Sequence, residues 1–321
     1  MHDDDNPGDE ADYFNWEKDD HGSLFWTDSY LLTDSFYAAA AAIPTLPEPW
    51  FVIVATSGAH SPLHNPPAEL LAEPLPEDAT PLQQYTAMVE AVDTSIGGLL
   101  AGLPPELLRR TTLIYASDNG TPGDEKDVVQ APWNPGRSKG SVYEGGVNVP
   151  LLISGPLVAQ PGSECAALVS VVDILPTIAE IAGIKLDSVV VQEGPAQGRP
   201  IHFDGHSLLP YLRDPTAAPV TDRVFAEQFY PNGEQEHLEY RDRMLRSQDW
   251  KLMQTEEWDA EQRIFRTDHF FRMEPGAWDE GPDLLDAVGG LGEEEAAAYA
   301  DLRWELTALE AQLSYGHPAE H

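Results

Sequence analysis

Cysteine, basic residues and long apolar runs are all scarce in this chain. One cysteine, Cys165, occurs in 321 residues, which excludes an intramolecular disulfide and a cysteine-rich zinc site. Its surroundings, Ser163-Glu164-Cys165-Ala166-Ala167, read as a loop leading into a strand, with the thiol as a small buried filler rather than a reactive group. Lysine and arginine number 18 against 55 acids, a formal net charge of −37. So acidic a surface repels nucleic acid and anionic membranes. It fits a heavily solvated exterior, a carboxylate cluster around a divalent cation, or both together. An anionic ligand would meet long-range repulsion here, so a site for one needs local cations. No run reaches the roughly 18 apolar residues of a membrane span. The acidic start, Met1-His2-Asp3-Asp4-Asp5, lacks the basic-then-apolar pattern of a signal peptide.

What is present is a folding sequence, 42% hydrophobic, long enough for one large α/β domain with a smaller companion. Residues 1–22 read as a polar lead-in. A helix is predicted from Ser29 to Ile43, stopping at Pro44. A longer one is predicted after Thr80, with Pro81 at its first position and Gln83 completing a capping box. Its stripe is Tyr85, Met88, Val89, Val92, Ile96, Leu99 and Leu103. Apolar runs at Trp50–Ala55, Thr112–Ala116, Val149–Ile153 and Leu168–Val172 predict buried strands. With a helix from Asp173 to Ile181, the alternation predicts a largely parallel sheet between helices. Beyond about Asp222 short β-like stretches follow at Arg223–Phe229, Arg243–Ser247, Lys251–Gln254 and Ile264–Arg272. A closing helix carries the stripe Leu302, Leu306, Leu309 and Leu313. This part predicts a small antiparallel sheet with a helix laid over it.

Ligands of open α/β sheets sit beyond the carboxyl ends of strands, and three such ends carry suggestive residues. His60, in Ser57-Gly58-Ala59-His60-Ser61-Pro62-Leu63, is either a donor or acid facing a substrate oxygen or a histidine satisfied by its own loop. Asp118 and Asn119, in Ser117-Asp118-Asn119-Gly120, are either two oxygen ligands for Ca²⁺ or Mg²⁺ or a metal-free Asx turn. Arg137 and Lys139 lie in the glycine-dense run from Gly136 to Pro150. There they either hold an anionic ester group and stabilise charge in its transition state or are solvent-exposed cations.

In this order and spacing the segments Ala59–Leu63, Ser117–Gly120 and Ser138–Pro150 resemble the signatures of type I sulfatases of the alkaline phosphatase superfamily. The likeness continues at Tyr85–Asp93, Val172–Thr177, Asp204–Pro210, Arg243–Lys251 and Asp283–Asp286, and runs from about Asp12 to the end. The resemblance implies an alkaline-phosphatase-like α/β fold with a small C-terminal antiparallel sheet plus helix. Residues 1–221 would be the later part of the core domain and 222–321 the C-terminal subdomain. It further implies that Asp118 and Asn119 ligate a metal, Ca²⁺ rather than Mg²⁺, and that Lys139 contacts the substrate sulfate. His60 would stand near the scissile oxygen and protonate the leaving group. The substrate would be a sulfate ester, small molecule or sulfated glycan, and a full-length form like many bacterial sulfatases would be periplasmic or extracellular.

Two departures from the family pattern stand out. Asn148 occupies a place where arginine is common, which bears on how its loop is anchored. The family's paired-aspartate metal motif, its C-x-P-S-R stretch whose cysteine becomes formylglycine, and its K-x-H motif have no counterpart in this sequence. Cys165 is followed by Ala166-Ala167-Leu168-Val169 and is not that nucleophile. The expectation is a sulfatase lacking its front, with exposed apolar edges, a half-ligated cation site and no covalent route to ester cleavage. The alternatives are a phosphonate or phosphodiester hydrolase of the same superfamily, and a non-catalytic remnant or binding module.

Overall fold

The computed structural model describes residues 13–123, 127–131, 133–192, 197–231, 238–259, 261 and 263–314. Its contacts divide the chain into two compact units, Met1–Thr112 with Asp124–Gln130, and Leu113–Gly123 with Ala131–His321.

In the first unit, β1 (Trp16–Asp20) and β2 (Ser23–Thr27) pair antiparallel, with Trp16 opposite Thr27 and Asp20 opposite Ser23. His21 and Gly22 between them have φ of 55° and 84°, the left-handed turn whose twist matches a hairpin. The expected lead-in is therefore a strand from Trp16 onward, and residues 1–12 lie outside the described residues. In α1 (Leu31–Ala42), Leu32, Phe36 and Ala39 are buried at helical spacing.

The longer helix, α2 (Pro81–Gly102), begins with the expected capping box. The Thr80 hydroxyl accepts from the Gln83 amide, and the Gln83 side chain accepts from the Thr80 amide. Its buried face is Ala87, Met88, Ala91, Val92, Ser95 and Leu99. Val89, predicted within that stripe, is 43% exposed, because the face is centred on small alanines that admit a neighbour closely. The single-turn α3 (Pro105–Leu108) follows. Trp50–Ala55 forms no strand, and Phe51 and Ile53 within it are exposed. Its apolar composition favours a strand, but a strand exists only through its ladder, and the described residues offer it none.

In the second unit, β3 (Leu113–Ala116) precedes the single-turn α4 (Glu144–Val147) and β4 (Leu151–Ser154). β3 and β4 pair antiparallel, Leu113 opposite Ser154 and Ala116 opposite Leu151, so the parallel pairing expected of these runs is not seen among the described residues. Leu168–Val172 likewise forms no strand and ends in a 3₁₀ turn at Val171–Asp173. Cys165, expected to be buried, is exposed. It sits in the loop before that turn, where no strand forms to enclose it. Next come α5 (Ile174–Ile181) and α6 (Leu209–Arg213). Buried Asp173 ties the stretch before α6 to α5. Its carboxylate accepts from the Ser170 amide at 2.8 Å and the His206 amide at 2.7 Å.

The unit continues with β5 (Val224–Tyr230), β6 (Tyr240–Arg246), β7 (Trp250–Trp258) and β8 (Ile264–Arg272), antiparallel in that order. Period-two alternation gives this sheet two covered faces. On one, Leu245, Trp250, Leu252 and Phe270 pack with Leu302 and Leu306 of α7 (Glu293–Ser314). The side chain of Leu313 lies outside the described residues. On the other, Met244, Met253 and Phe271 pack against Val142, Tyr143 and Val147. The sheet is thus the floor on which the glycine-dense loop rests.

Candidate functional site

Candidate residues occur in both units. In the first unit, His60 follows a turn in which its amide donates to Ser57 O at 2.9 Å. The Tyr13 hydroxyl donates to Ser57 O and His60 O, both at 2.7 Å. Burial pushes the Tyr13 phenol up to about 12, with the backbone at His60 offsetting part of the rise. A Cβ on Gly58 would lie 2.8 Å from Val92 Cγ2 of α2, so the turn rests directly on that helix. His60 itself is exposed, with Nδ1 2.8 Å from Ser61 O. A carbonyl only accepts, so Nδ1 carries the proton and Nε2 is the nitrogen facing outward chemistry.

In the second unit, Asp118 and Asn119 leave the end of β3, Asp118 exposed and Asn119 half-buried. The Ser117 amide donates to Pro150 O at 3.2 Å and the Gly120 amide to Gly146 O at 3.0 Å. The Lys139 amide donates to Thr121 O at 3.0 Å. These bonds lace the Asp118–Asn119 turn to the glycine-dense loop. Glycine is required where the two meet: a Cβ on Gly120 would lie 1.8 Å from Gly145 O, and one on Gly146 2.2 Å from Ser141 O. Asp118, Asn119 and Lys139 therefore stand in one loop cluster. His60 belongs to the other unit.

The two cations of the loop have separate fates. Arg137 donates to Asp279 Oδ1 at 2.9 Å and Gly281 O at 3.3 Å, and lies over the Tyr143 ring at 4.7 Å. Burial opposes the Arg137 charge, but Asp279 and its neighbours outweigh burial and hold its pKa above the ordinary value. Lys139 is half-buried, and among the described residues it makes no ion pair. Of the two, only Arg137 has its charge met by an acid among the described residues.

Asp118 and Asn119 offer hard oxygen donors, the chemistry Ca²⁺ selects, but a Ca²⁺ ion takes about six to eight ligands. Among the described residues no group of three or more His, Cys, Asp or Glu side chains is arranged to hold a metal. The pair fits one side of such a site.

Several residues that shape the site escaped the sequence reading. Buried Glu144, inside the loop, accepts from Lys251 Nζ at 2.8 Å, from Asn148 Nδ2 at 3.1 Å and from Arg246. Asn148 thus does locally what the anchoring question asked of it. Lys251 also donates to buried Glu280 at 2.7 Å. The only local signal for Glu144 is its place beside the Gly145-Gly146 pair; its partners lie far along the chain.

Comparison with known proteins shows the family and the fold class. A family profile described as Sulfatase matches residues 3–184, more than half of the chain. Arylsulfatase K of Xenopus laevis is 33% identical over 129 residues, which are 40% of this chain and 20% of that protein. The chain thus spans about a fifth of the length of the curated relatives it matches, 20% of this one. A solved protein in complex with its substrate D-glucosamine-2-N,6-O-disulfate superposes with a TM-score of 0.60 at 18% identity, over 96% of this chain and 75% of that one. A sulfatase from Pseudoalteromonas sp. superposes with a TM-score of 0.58 at 21% identity, over 88% of this chain and 51% of that one. The fold class is the alkaline-phosphatase-like α/β fold expected from the sequence, with its C-terminal four-stranded antiparallel sheet.

Proposed function

Because this chain belongs to the sulfatase family, we propose that it forms the sulfate-gripping and leaving-group side of a sulfuric ester hydrolase. The observation that carries the reading is Lys139, a half-buried cation without an acid partner among the described residues of a chain with 55 acids. Lys139 binds a sulfate oxygen and opposes the charge that develops there in the transition state. Asp118 and Asn119 supply two oxygen ligands to a metal ion, which sulfatases generally use and which we assign as Ca²⁺. The bound ion supplies further neutralisation of sulfate charge. His60, with Nδ1–H held to Ser61 O, presents Nε2 to the ester oxygen, and as the imidazolium, protonated on both nitrogens, it gives the Nε2 proton to the departing alcohol and is left neutral. The nucleophile, formylglycine in this family, is supplied by a front segment outside this sequence. Exposed Phe51, Ile53 and Leu152 support that reading, since they are apolar surface awaiting cover. A sulfated sugar is the favoured substrate class, from the glucosamine disulfate bound by one structural neighbour.

The test joins this chain to a front segment bearing C-x-P-S-R, made in a host that forms formylglycine, and assays a panel of sulfated sugars and aryl sulfates. The joined protein should turn over sulfate esters with Ca²⁺ present, and the chain alone should not. Preference for phosphonate or phosphodiester substrates would instead assign the other hydrolase class. Turnover unaffected by Lys139→Ala would remove Lys139 from the site. No helix of the described residues is long and apolar enough to cross a membrane.

A further inference from the structure

We propose that the buried cluster Lys251–Glu144–Glu280 is a positioning device that sets where Lys139 and the Asp118–Asn119 turn stand. The proposal rests on the reading of Lys139 as the sulfate-binding cation. Lys251, on the face of β7 that supports the loop, is fully buried and donates to Glu144 Oε1 at 2.8 Å and Glu280 Oε1 at 2.7 Å. Glu280 Oε1 also accepts the Glu144 amide at 2.6 Å. The second Glu144 oxygen takes Asn148 and Arg246. Glu144 is therefore held by side chain and backbone at once.

From Glu144 the constraint passes along the chain by contacts without slack. Gly145 and Gly146 follow it directly. A Cβ on Gly145 would meet Arg137 O at 2.2 Å, one on Gly146 would meet Ser138 O at 2.7 Å, and Gly120 closes on Gly145 O. The Gly120 amide bonds Gly146 O and the Lys139 amide bonds Thr121 O. A shift of Glu144 must move Gly145 and Gly146, and with them the turn carrying Asp118 and Asn119. Apolar packing alone tolerates sliding, whereas a charge pair with both carboxylate oxygens occupied fixes a position. Three cations, Arg137, Arg246 and Lys251, face three acids, Asp279, Glu144 and Glu280. In a chain with only 18 basic residues, that concentration behind one loop is a specific use of scarce charge.

The experiment uses the full chain, with Lys251→Met, Glu144→Gln, Lys251→Arg and Lys139→Ala, and inorganic sulfate as the probe. Amide exchange is followed at Gly120 and Lys139, which carry the cross-loop bonds, and across β6 and β7 as reference. In Lys251→Met and Glu144→Gln, exchange at the two loop amides should quicken at least about tenfold with the sheet unchanged, and sulfate affinity should fall about tenfold to a hundredfold, as for supporting residues of other sites. Lys251→Arg should restore most of the protection. Unchanged loop protection in a folded variant overturns the proposal. So does loss of protection across the sheet as well, or failure of both Lys251→Met and Glu144→Gln to fold, since either makes the cluster a general stabiliser. If Lys139→Ala leaves sulfate binding intact, the reading of Lys139 has failed, and loop exchange still decides the positioning role.

Discussion

A methyl group added at Gly120 would place a carbon 1.8 Å from the backbone oxygen of Gly145. Backbone cannot rotate out of the way as a side-chain tip can, so Gly120→Ala must part the two loops. Overpacking of this kind costs about 1–3 kcal/mol or more. The expected result is a lower melting temperature together with weaker binding of the Ca²⁺ proposed for Asp118 and Asn119, read by calorimetry on the same samples. Gly140 makes the contrast. Its φ is +82° with open space around the Cβ position, so Gly140→Ala meets only left-handed backbone strain, roughly 1–2 kcal/mol. It should lower stability while leaving the Gly120 amide protected from exchange. Tyr13 is the comparable residue in the first unit. Tyr13→Phe leaves the Ser57 and His60 carbonyls without their shared donor, worth about 1–3 kcal/mol where such groups are buried. Urea titration should show that loss, and a midpoint within error of the parent would mean water replaces the hydroxyl.

The four-stranded sheet shows how an element can carry charge on its buried faces. On the side covered by α7, the fully buried Glu256 accepts from Arg241 at 2.8 Å and Arg266 at 2.6 Å, and lies 3.2 Å from buried Arg243. Glu310 of α7 reaches Arg241 at 3.3 Å. Burial pushes the Glu256 carboxyl up, but the arginines outweigh burial and hold it below the usual carboxylate range. A depressed acid contributes stability above its unfolded pKa, about 4.3, and loses it as pH falls through the lower folded value. The parent should therefore lose more stability than Glu256→Gln between about pH 5 and pH 3. Glu256→Ala, which strands Arg243, should cost about 3–5 kcal/mol at neutral pH. Those charges also explain what sequence could tell. The β5–β8 segments were legible because Met244 and Leu245, or Phe270 and Phe271, supply apolar side chains to opposite faces. That both faces are covered is hidden in the sequence because the buried Arg243, Lys251 and Glu256 break the apolar alternation. Asp118, Asn119 and Lys139 stand out in the sequence as candidates because each lies in a short local motif. Glu144 was not, since Lys251 is 107 residues away and only the fold pairs them. Trp50–Ala55 had a strand's composition, but pairing is a property of neighbours.

At the scale of the whole molecule the formal charge of −37 sets two salt dependences. The Debye length falls from about 30 Å at 0.01 M to about 3 Å at 1 M, so salt relieves repulsion among exposed acids while screening the buried clusters much less. The melting temperature should rise with NaCl, by roughly 2–4 °C for each kcal/mol of repulsion removed in a domain of this size class. A sulfated ligand feels the same field. Lys139 is one positive charge acting at contact, whereas the net negative field acts throughout the approach. At low salt the long-range term governs encounter, and the association rate of a sulfated oligosaccharide should climb, on the order of tenfold, as salt is raised from about 0.01 to 0.3 M. Sites guarded by a basic surface show the opposite slope. Stopped-flow association at several salt concentrations measures it directly. A flat or falling rate would mean that the potential at the site mouth is already positive, which one lysine in this chain cannot supply, and would point to further cations beside Lys139, the proposed Ca²⁺ among them.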